Sequence, residues 1–247
     1  MAENETTTTA SATMAEPKVN NALIDRMFKA GAHFAYAKRR RHPSNQALIF
    51  GAKNKVEIFD LEKTSEYLER AKAFVKTIAA NNGMILFVGG KAPARDAVRL
   101  SAASIGMPFV AGRWIGGTFT NFPQIKKRLE RLESLMSQRE KGELSKYTKK
   151  ERLLIDREID KLNTFFSGIL SMKEFPKAVF AVDAKREHIA VAEAHKVKVP
   201  VIAISGSDSN LADIEFPIPA NTSATASISF ILSEIVSAYK EGREEAK

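Results

Sequence analysis

The residues best suited to chemistry stand in two short stretches of the sequence. In GGKAPARDAV (89–98) a lysine follows paired glycines, where an apolar run ends and a helix is expected to open. That is the arrangement of a turn that cradles phosphate. In the second stretch Asp183, Glu187 and His188 follow the apolar run AVFAVD (178–183). A carboxylate and an imidazole then stand at a strand's carboxyl end, where open α/β sheets bind ligands. A nucleotide pocket, an acid–base pair or a metal site would each use such residues. Each pattern lacks a part. The first misses the G-x-x-x-x-G-K-[ST] spacing, has Ala92 where the metal-binding hydroxyl belongs, and is not G-x-G-x-x-G. Glu187 and His188 are adjacent and point different ways on a helix, and no nucleophile or third ligand accompanies Asp183 at fitting spacing. His33, His42 and His195 form no H-x-x-H or H-E-x-x-H pattern, and ISGSDSN lacks G-x-S-x-G. The expectation is a non-enzymatic chain with no cofactor, no metal and no small-molecule substrate. Lys91 and Arg95, one helical turn apart, remain as contacts for a phosphate backbone, and Asp183 as a cap for the helix after it.

A third group of residues points to binding. Lys38, Arg39, Arg40 and Arg41 are consecutive, with Phe34 and Tyr36 just upstream. Four adjacent cations repel unless solvated or met by anions; guanidinium forks suit phosphate, and aromatic rings stack on unpaired bases. Lys53, Lys55 and Arg113 extend the set. The chain carries a net charge of +9, which favours polyanionic partners by steering and counterion release. Absence of cysteine excludes disulfides, thiol nucleophiles and thiolate metal sites. No apolar run approaches a membrane span, so no membrane partner is expected. Residues 1–19, acidic and Thr-rich, read as a disordered tail with no secretory signal.

The elements that must position these residues follow from periodicity. NALIDRMFKAGAHF opens the body as a short amphipathic helix around Leu23 and Met27; ALIF and VEIFD flank the turn-rich GAKNK as a hairpin; a helix is expected over 64–81. MILFVG (84–89) is an apolar run of the kind buried on both faces, followed by a helix over 91–105 and the short strand MPFVAG. AVFAVD, a helix over 186–197 and VPVIAIS (199–205) repeat the strand–helix–strand order. IEFPIP reads as an edge strand because of its prolines, and a last helix runs over 222–240 before a flexible tail, 241–247. Such alternation predicts an α/β domain, a parallel sheet with helices on both faces, over 20–122 and 168–240.

The stretch between, 123–167, differs. Ile125, Leu129, Leu132 and Met136 form one stripe, and Ile155, Ile159, Leu162 and Phe166 a second. Thr148 to Glu151 is a capping-box pattern that starts the return helix. Twelve Lys/Arg and eight Asp/Glu crowd residues 124–161, so an antiparallel coiled-coil hairpin projecting from the body is expected. GRWIGGTFTNF (112–122) leads into it. Gly116 and Gly117 suggest a sharp bend, Asn121 a helix cap, and Trp114 a core residue seating the arm. With Thr120, these residues are the expected hinge.

AGAHF, IFGAKNKVEIFDLEKT, ILFVGGK, GRWIGGTFTNF, REHIAVAEA, VPVIAI and FPIP, in that order, resemble the bacterial small-subunit ribosomal protein two family. The resemblance runs from about residue 20 to residue 243, and R-W-x-G-G-x-x-T-N at Arg113–Asn121 is its most specific piece. It implies a Rossmann-like domain with a protruding coiled-coil hairpin. It also implies a structural role in the cytoplasmic small ribosomal subunit, on rRNA where head meets body at the solvent side, among neighbouring ribosomal proteins. Help in docking ribosomal protein one is a further implication. This sequence departs from the family where Ala35 and Tyr36 follow Phe34, at Gly206 and Asn210, and at Ala220-Asn221-Thr222; these departures weigh against a divalent ion in the crevice. Two other readings stay open at this point: a nucleotide-dependent enzyme using Lys91 and Asp183, and a coiled-coil adaptor binding only proteins.

Overall fold

A computed structural model describes residues 21–172 and 174–246, so the expected tail at 1–19 lies outside the described residues. The first described element is α1 (Asn21–Lys29), which buries Leu23 and Met27. β1 (Phe34–Ala37) follows, a strand that the sequence did not announce, then β2 (Ile49–Lys53) and β3 (Val56–Phe59). These form a small antiparallel sheet in the order β1-β3-β2. Asn54 and Lys55 both take positive φ (52° and 66°), the conformation of a two-residue hairpin turn matched to strand twist. α2 (Leu61–Ala80) starts earlier than residue 64 because Asp60 caps it, accepting the Glu62 N–H at 3.1 Å.

The main sheet follows. Its parts are β4 (Ile85–Val88), α3 (Ala92–Ser104), β5 (Phe109–Val110), α4 (Phe122–Glu140), α5 (Lys149–Phe166), β6 (Ala178–Val182), α6 (His188–Lys196), β7 (Val201–Ser205), β8 (Phe216–Pro219) and α7 (Thr225–Glu245). All neighbouring strands are parallel, in the order β5-β4-β6-β7-β8. Chain direction across the sheet therefore reverses between β4 and β6, the switch point at which open sheets leave a crevice. β8, carrying Pro217 and Pro219, takes an edge, where a missing N–H costs least.

Alternate strand residues feed two separate cores. Ile85, Phe87, Phe180, Ile202 and Ile204 face a layer built from α2, α3 and α7 through Leu68, Val75, Val98, Ile231 and Ile235. Leu86, Val88, Val179, Ala181, Val201 and Ala203 face α4, α5 and α6. Both faces of the sheet are covered, which is why its strands read as continuous apolar runs.

The crossover from β5 to β6 is the helical pair α4–α5, the two helices packed on each other. α4 buries Ile125, Leu129, Leu132 and Leu135, not Met136. The last step shortens because the turn Glu143–Lys146 packs back on α4 and buries Leu144. α5 buries Ile159, Leu162 and Phe166, with Ile155 packed at the margin, and opens with the expected Thr148–Glu151 capping box. α7 runs past the expected end at 240 and takes in residues 241–245 of the expected flexible tail. Gly242 is buried against α2, where a Cβ would meet the Lys76 carbonyl at 2.7 Å, and Lys76 pairs with Glu241 at 2.7 Å.

Candidate functional site

At the switch point the turn after β4 brings Gly90 and Lys91 to the carboxyl end of β6, where Asp183 stands at φ 69°. Lys91 Nζ donates to Asp183 Oδ2 (3.0 Å), Tyr36 Oη (3.2 Å) and Ser223 Oγ (3.2 Å). Thr222 Oγ1 donates to the same carboxylate at 3.2 Å. Burial works to lower the Lys91 pKa, but the hydrogen bond and charge of Asp183, helped by Tyr36, outweigh it, and the net direction is upward. Tyr36 moves the other way: burial favours its neutral form, yet bonds to Ser223, Thr222 and Lys91 bring its pKa down. Asp183 also receives the Arg186 N–H, at 3.4 Å to its side chain, so it does help close the turn before α6. Beside it, the Gly90 N–H donates to Glu187 Oε1 at 2.9 Å. Burial pushes the Glu187 carboxyl above its ordinary range. A Cβ at residue 90 would meet the Gly112 carbonyl at 2.6 Å, so only glycine fits there.

These contacts decide what the crevice can do. The backbone amide that a phosphate would take already faces a carboxylate, and the lysine already has its counter-ion. Among the described residues no three His, Cys, Asp or Glu side chains converge as a metal site would require. The expected phosphate contact of Lys91 is directed inward.

The hinge has a partner that periodicity hid. Glu193, buried on α6, accepts the N–H groups of Gly117 (2.6 Å), Phe119 (2.9 Å) and Thr120 (3.4 Å). Its only sequence signal is an acid between Val191 and Ala194 on an otherwise apolar helix face. Gly117 needs its freedom, at φ 92°, whereas Gly116 does not take a positive φ, so the bend belongs to one glycine of the pair. Trp114 is buried edge-on to Phe119 (ring centroids 5.2 Å apart), in the core that seats α4 and α5, and its indole N–H has no partner among the described residues. Asn121 stands at the helix start without a side-chain capping bond, and its backbone carbonyl accepts the N–H groups of Gln124 (3.1 Å) and Ile125 (3.3 Å).

The basic residues divide by what already answers their charge. Arg41 is engaged by buried Glu57 at 2.8 Å. Arg40 lies 4.4 Å over the Tyr36 ring and 3.5 Å from Asp208, which Lys185 also reaches at 3.1 Å. Lys38, Arg39, Lys53 and Lys55 are exposed and have no side-chain hydrogen bond or ion pair among the described residues. Arg113 and Arg186 are likewise exposed and make no side-chain hydrogen bond or ion pair there, though the charge of Arg186 acts on buried Glu187. Arg95, Arg113 and Arg186 line a cavity of about 400 Å³ with Gly90, Gly112, Trp114 and Glu187. Arg95, Arg99 and Arg113 line an adjoining one of about 350 Å³, between Phe109–Gly112 and Thr164–Gly168. Arg99 and Arg186 were not anticipated. They come from segments far apart in the chain, and only the fold brings them to Arg95 and Arg113.

A doubly wound parallel α/β body with a helical insertion in one crossover defines a Rossmann-like fold. Comparison with known proteins agrees and goes further. Residues 27–242 match the family model described as "Ribosomal protein S2". The small ribosomal subunit protein uS2 of Bdellovibrio bacteriovorus is 41% identical over 219 residues, 89% of this chain and 70% of that protein. Its namesakes from Mycobacteroides abscessus (39% over 219 residues, 89% of this chain and 79% of that one) and Acidothermus cellulolyticus (41% over 217 residues, 87% and 79%) are similar to the same extent. The chain belongs to the ribosomal protein S2 family. As a member it is a structural, non-enzymatic protein of the small ribosomal subunit. Among the described residues no helix is long and apolar enough to cross a membrane.

Proposed function

We propose that this protein holds to small-subunit rRNA through the cations its own fold leaves unanswered, near the junction of head and body on the solvent side. The observation that carries this reading is the division of the basic residues. Lys38, Arg39, Lys53, Lys55, Arg95 and Arg113 face outward with most or all of their donors free, whereas Arg41 and Lys91 hold carboxylates of the fold and Arg40 lies between the two cases. Phosphate contacts of this kind set affinity and position and carry little base readout, so shape fit to folded RNA supplies specificity. The two segments 20–122 and 168–240 act as one body. The α4–α5 pair is a coiled-coil arm that projects from it, seated by Trp114 and the Glu193-bound Gly117–Thr120 turn. Its partners are small-subunit rRNA and neighbouring small-subunit proteins, and it helps dock ribosomal protein one. The test is sedimentation of a tagged chain from native lysate at low magnesium, where the subunits separate. Stoichiometric co-migration with the small subunit is expected; recovery as free protein beside intact subunits would reject the reading.

A further inference from the structure

We propose that the groove lined by Arg95, Arg99, Arg113 and Arg186 seats consecutive phosphates of the rRNA backbone. The inference rests on the rRNA-binding reading above and names where on the protein the strand runs. Three separate segments build the groove: α3 gives Arg95 and Arg99, the stretch after β5 gives Arg113, and the turn before α6 gives Arg186. Four like charges around one groove repel, and the fold offsets little of that. Arg99 has only an exposed partner three residues away, Asp96, at 3.3 Å. Arg95 gives one N–H to the Gly90 carbonyl at 3.0 Å and keeps its remaining donors. The one carboxylate at the groove wall, Glu187, accepts the Gly90 N–H at 2.9 Å; burial raises its pKa, while the Gly90 bond and the charge of Arg186 act to lower it.

Guanidinium groups are planar forks that meet phosphate oxygens in pairs, and an unanswered cluster of them attracts a polyanion most strongly. The groove is long as well as charged. Its two cavities, about 400 and 350 Å³, share Arg95, Gly112 and Arg113. At that shared border stands Gly112, where a Cβ would meet nothing nearer than the Thr164 carbonyl at 3.9 Å, so no side chain stands between the two cavities at that position. A single mononucleotide would use one cavity. A continuous ribose–phosphate strand uses both and meets all four arginines.

The experiment measures binding of the full-length protein to purified small-subunit rRNA as a function of salt. In the variant combining Arg95→Ala, Arg113→Ala and Arg186→Ala, affinity near 0.1 M salt should fall at least tenfold. The slope of log K against log salt should flatten by about 2 to 3, at roughly 0.7–0.9 for each phosphate no longer neutralised. Gly112→Leu, which places a side chain at that border and leaves the charge unchanged, should weaken binding as well. Trp114, the chain's only tryptophan, lines the groove, so its emission should change on RNA addition to the wild type. The arginines are exposed, and unchanged thermal melting will confirm that the variant folds. A wild-type slope in the triple variant overturns the groove assignment while leaving the rRNA reading intact. Failure of the wild type itself to bind rRNA overturns that reading instead. Retained rRNA binding, with loss of a neighbouring protein from purified subunits, would give the groove to an acidic protein segment and overturn the assignment.

Discussion

The switch-point crevice and the arginine groove lie on either side of Gly90, and they treat charge in opposite ways. In the crevice Lys91 meets Asp183 at 3.0 Å, the Gly90 N–H meets Glu187 at 2.9 Å, and hydroxyls of Tyr36, Thr222 and Ser223 complete the network. In the groove Arg113 and Arg186 make no side-chain hydrogen bond or ion pair among the described residues, and the charge of buried Glu187 acts on Arg186. The crevice holds the position where an open α/β sheet binds ligands, yet its polar groups satisfy one another. The groove holds no motif, yet its four arginines face only exposed Asp96 and buried Glu187 and keep most of their donors free. A cation at the mouth of a sheet therefore indicates a ligand only once its internal counter-charge has been sought.

The largest effect is expected at a third place where the fold answers its own polar groups, the hinge. Glu193→Ala strips the acceptor from the N–H groups of Gly117, Phe119 and Thr120. We expect a loss on the order of 3 kcal/mol, read as a fall in Tm of roughly 6–12 °C, because buried donors without acceptors are costly. Wild-type melting of this variant would show that another group holds the hinge.

Next comes the crevice pair. Asp183→Ala leaves Lys91 mostly buried and uncompensated, at a cost of about 2 kcal/mol, discounted for the remaining exposure of the lysine. Lys91→Met combined with Asp183→Asn should recover much of that loss and leave the rRNA salt slope unchanged. The pair has a pH signature. The folded-state pKa of Lys91 is raised, so its stabilisation is fully present below the ordinary lysine value of 10.5 and lost as pH rises through the raised value. Alkaline melting should show this in the wild type and not in the double variant.

Glu187 makes a smaller and opposite case. Its folded-state pKa is raised by burial, so its contribution is most favourable below the ordinary value of 4.5 and declines as pH rises through the raised one. Glu187→Gln keeps an acceptor for the Gly90 N–H and should match or exceed wild-type stability at pH 7, by up to about 1 kcal/mol, with the difference closing under acid conditions. A clear destabilisation at pH 7 would mean that the crevice needs the full charge. Smallest of all, Arg113→Ala or Arg186→Ala should alter stability by about 0.5 kcal/mol or less, since neither side chain makes a hydrogen bond or ion pair among the described residues.

Much of the scaffold was legible because burial on both faces writes itself as apolar runs. MILFVG, AVFAVD and VPVIAIS are β4, β6 and β7, and the prolines of FPIP gave away the edge. β1 was not legible: its four residues, FAYA, become a strand only by pairing with β3, beside a cationic run that suggested a loop. The α4 seam drifted from Met136 to Leu135 because the connecting turn, not the helix period, sets its last contact. At the site, Lys91 and Asp183 could be named from their strand-end positions, but not their mutual engagement. Glu193 stood hidden in an apolar stripe. Arg99 and Arg186 carried no local pattern at all, since convergence of three segments is a property of the fold and of no window along the chain.

The most direct test of the account places wild type, the crevice variant Lys91→Met/Asp183→Asn and the groove variant Arg95→Ala/Arg113→Ala/Arg186→Ala in cells at equal expression. Each is then quantified by mass spectrometry in the small-subunit peak of a low-magnesium gradient. The account predicts stoichiometric occupancy for wild type and crevice variant, and a several-fold deficit for the groove variant. Full occupancy by the groove variant, with the crevice variant left among free proteins, would contradict it.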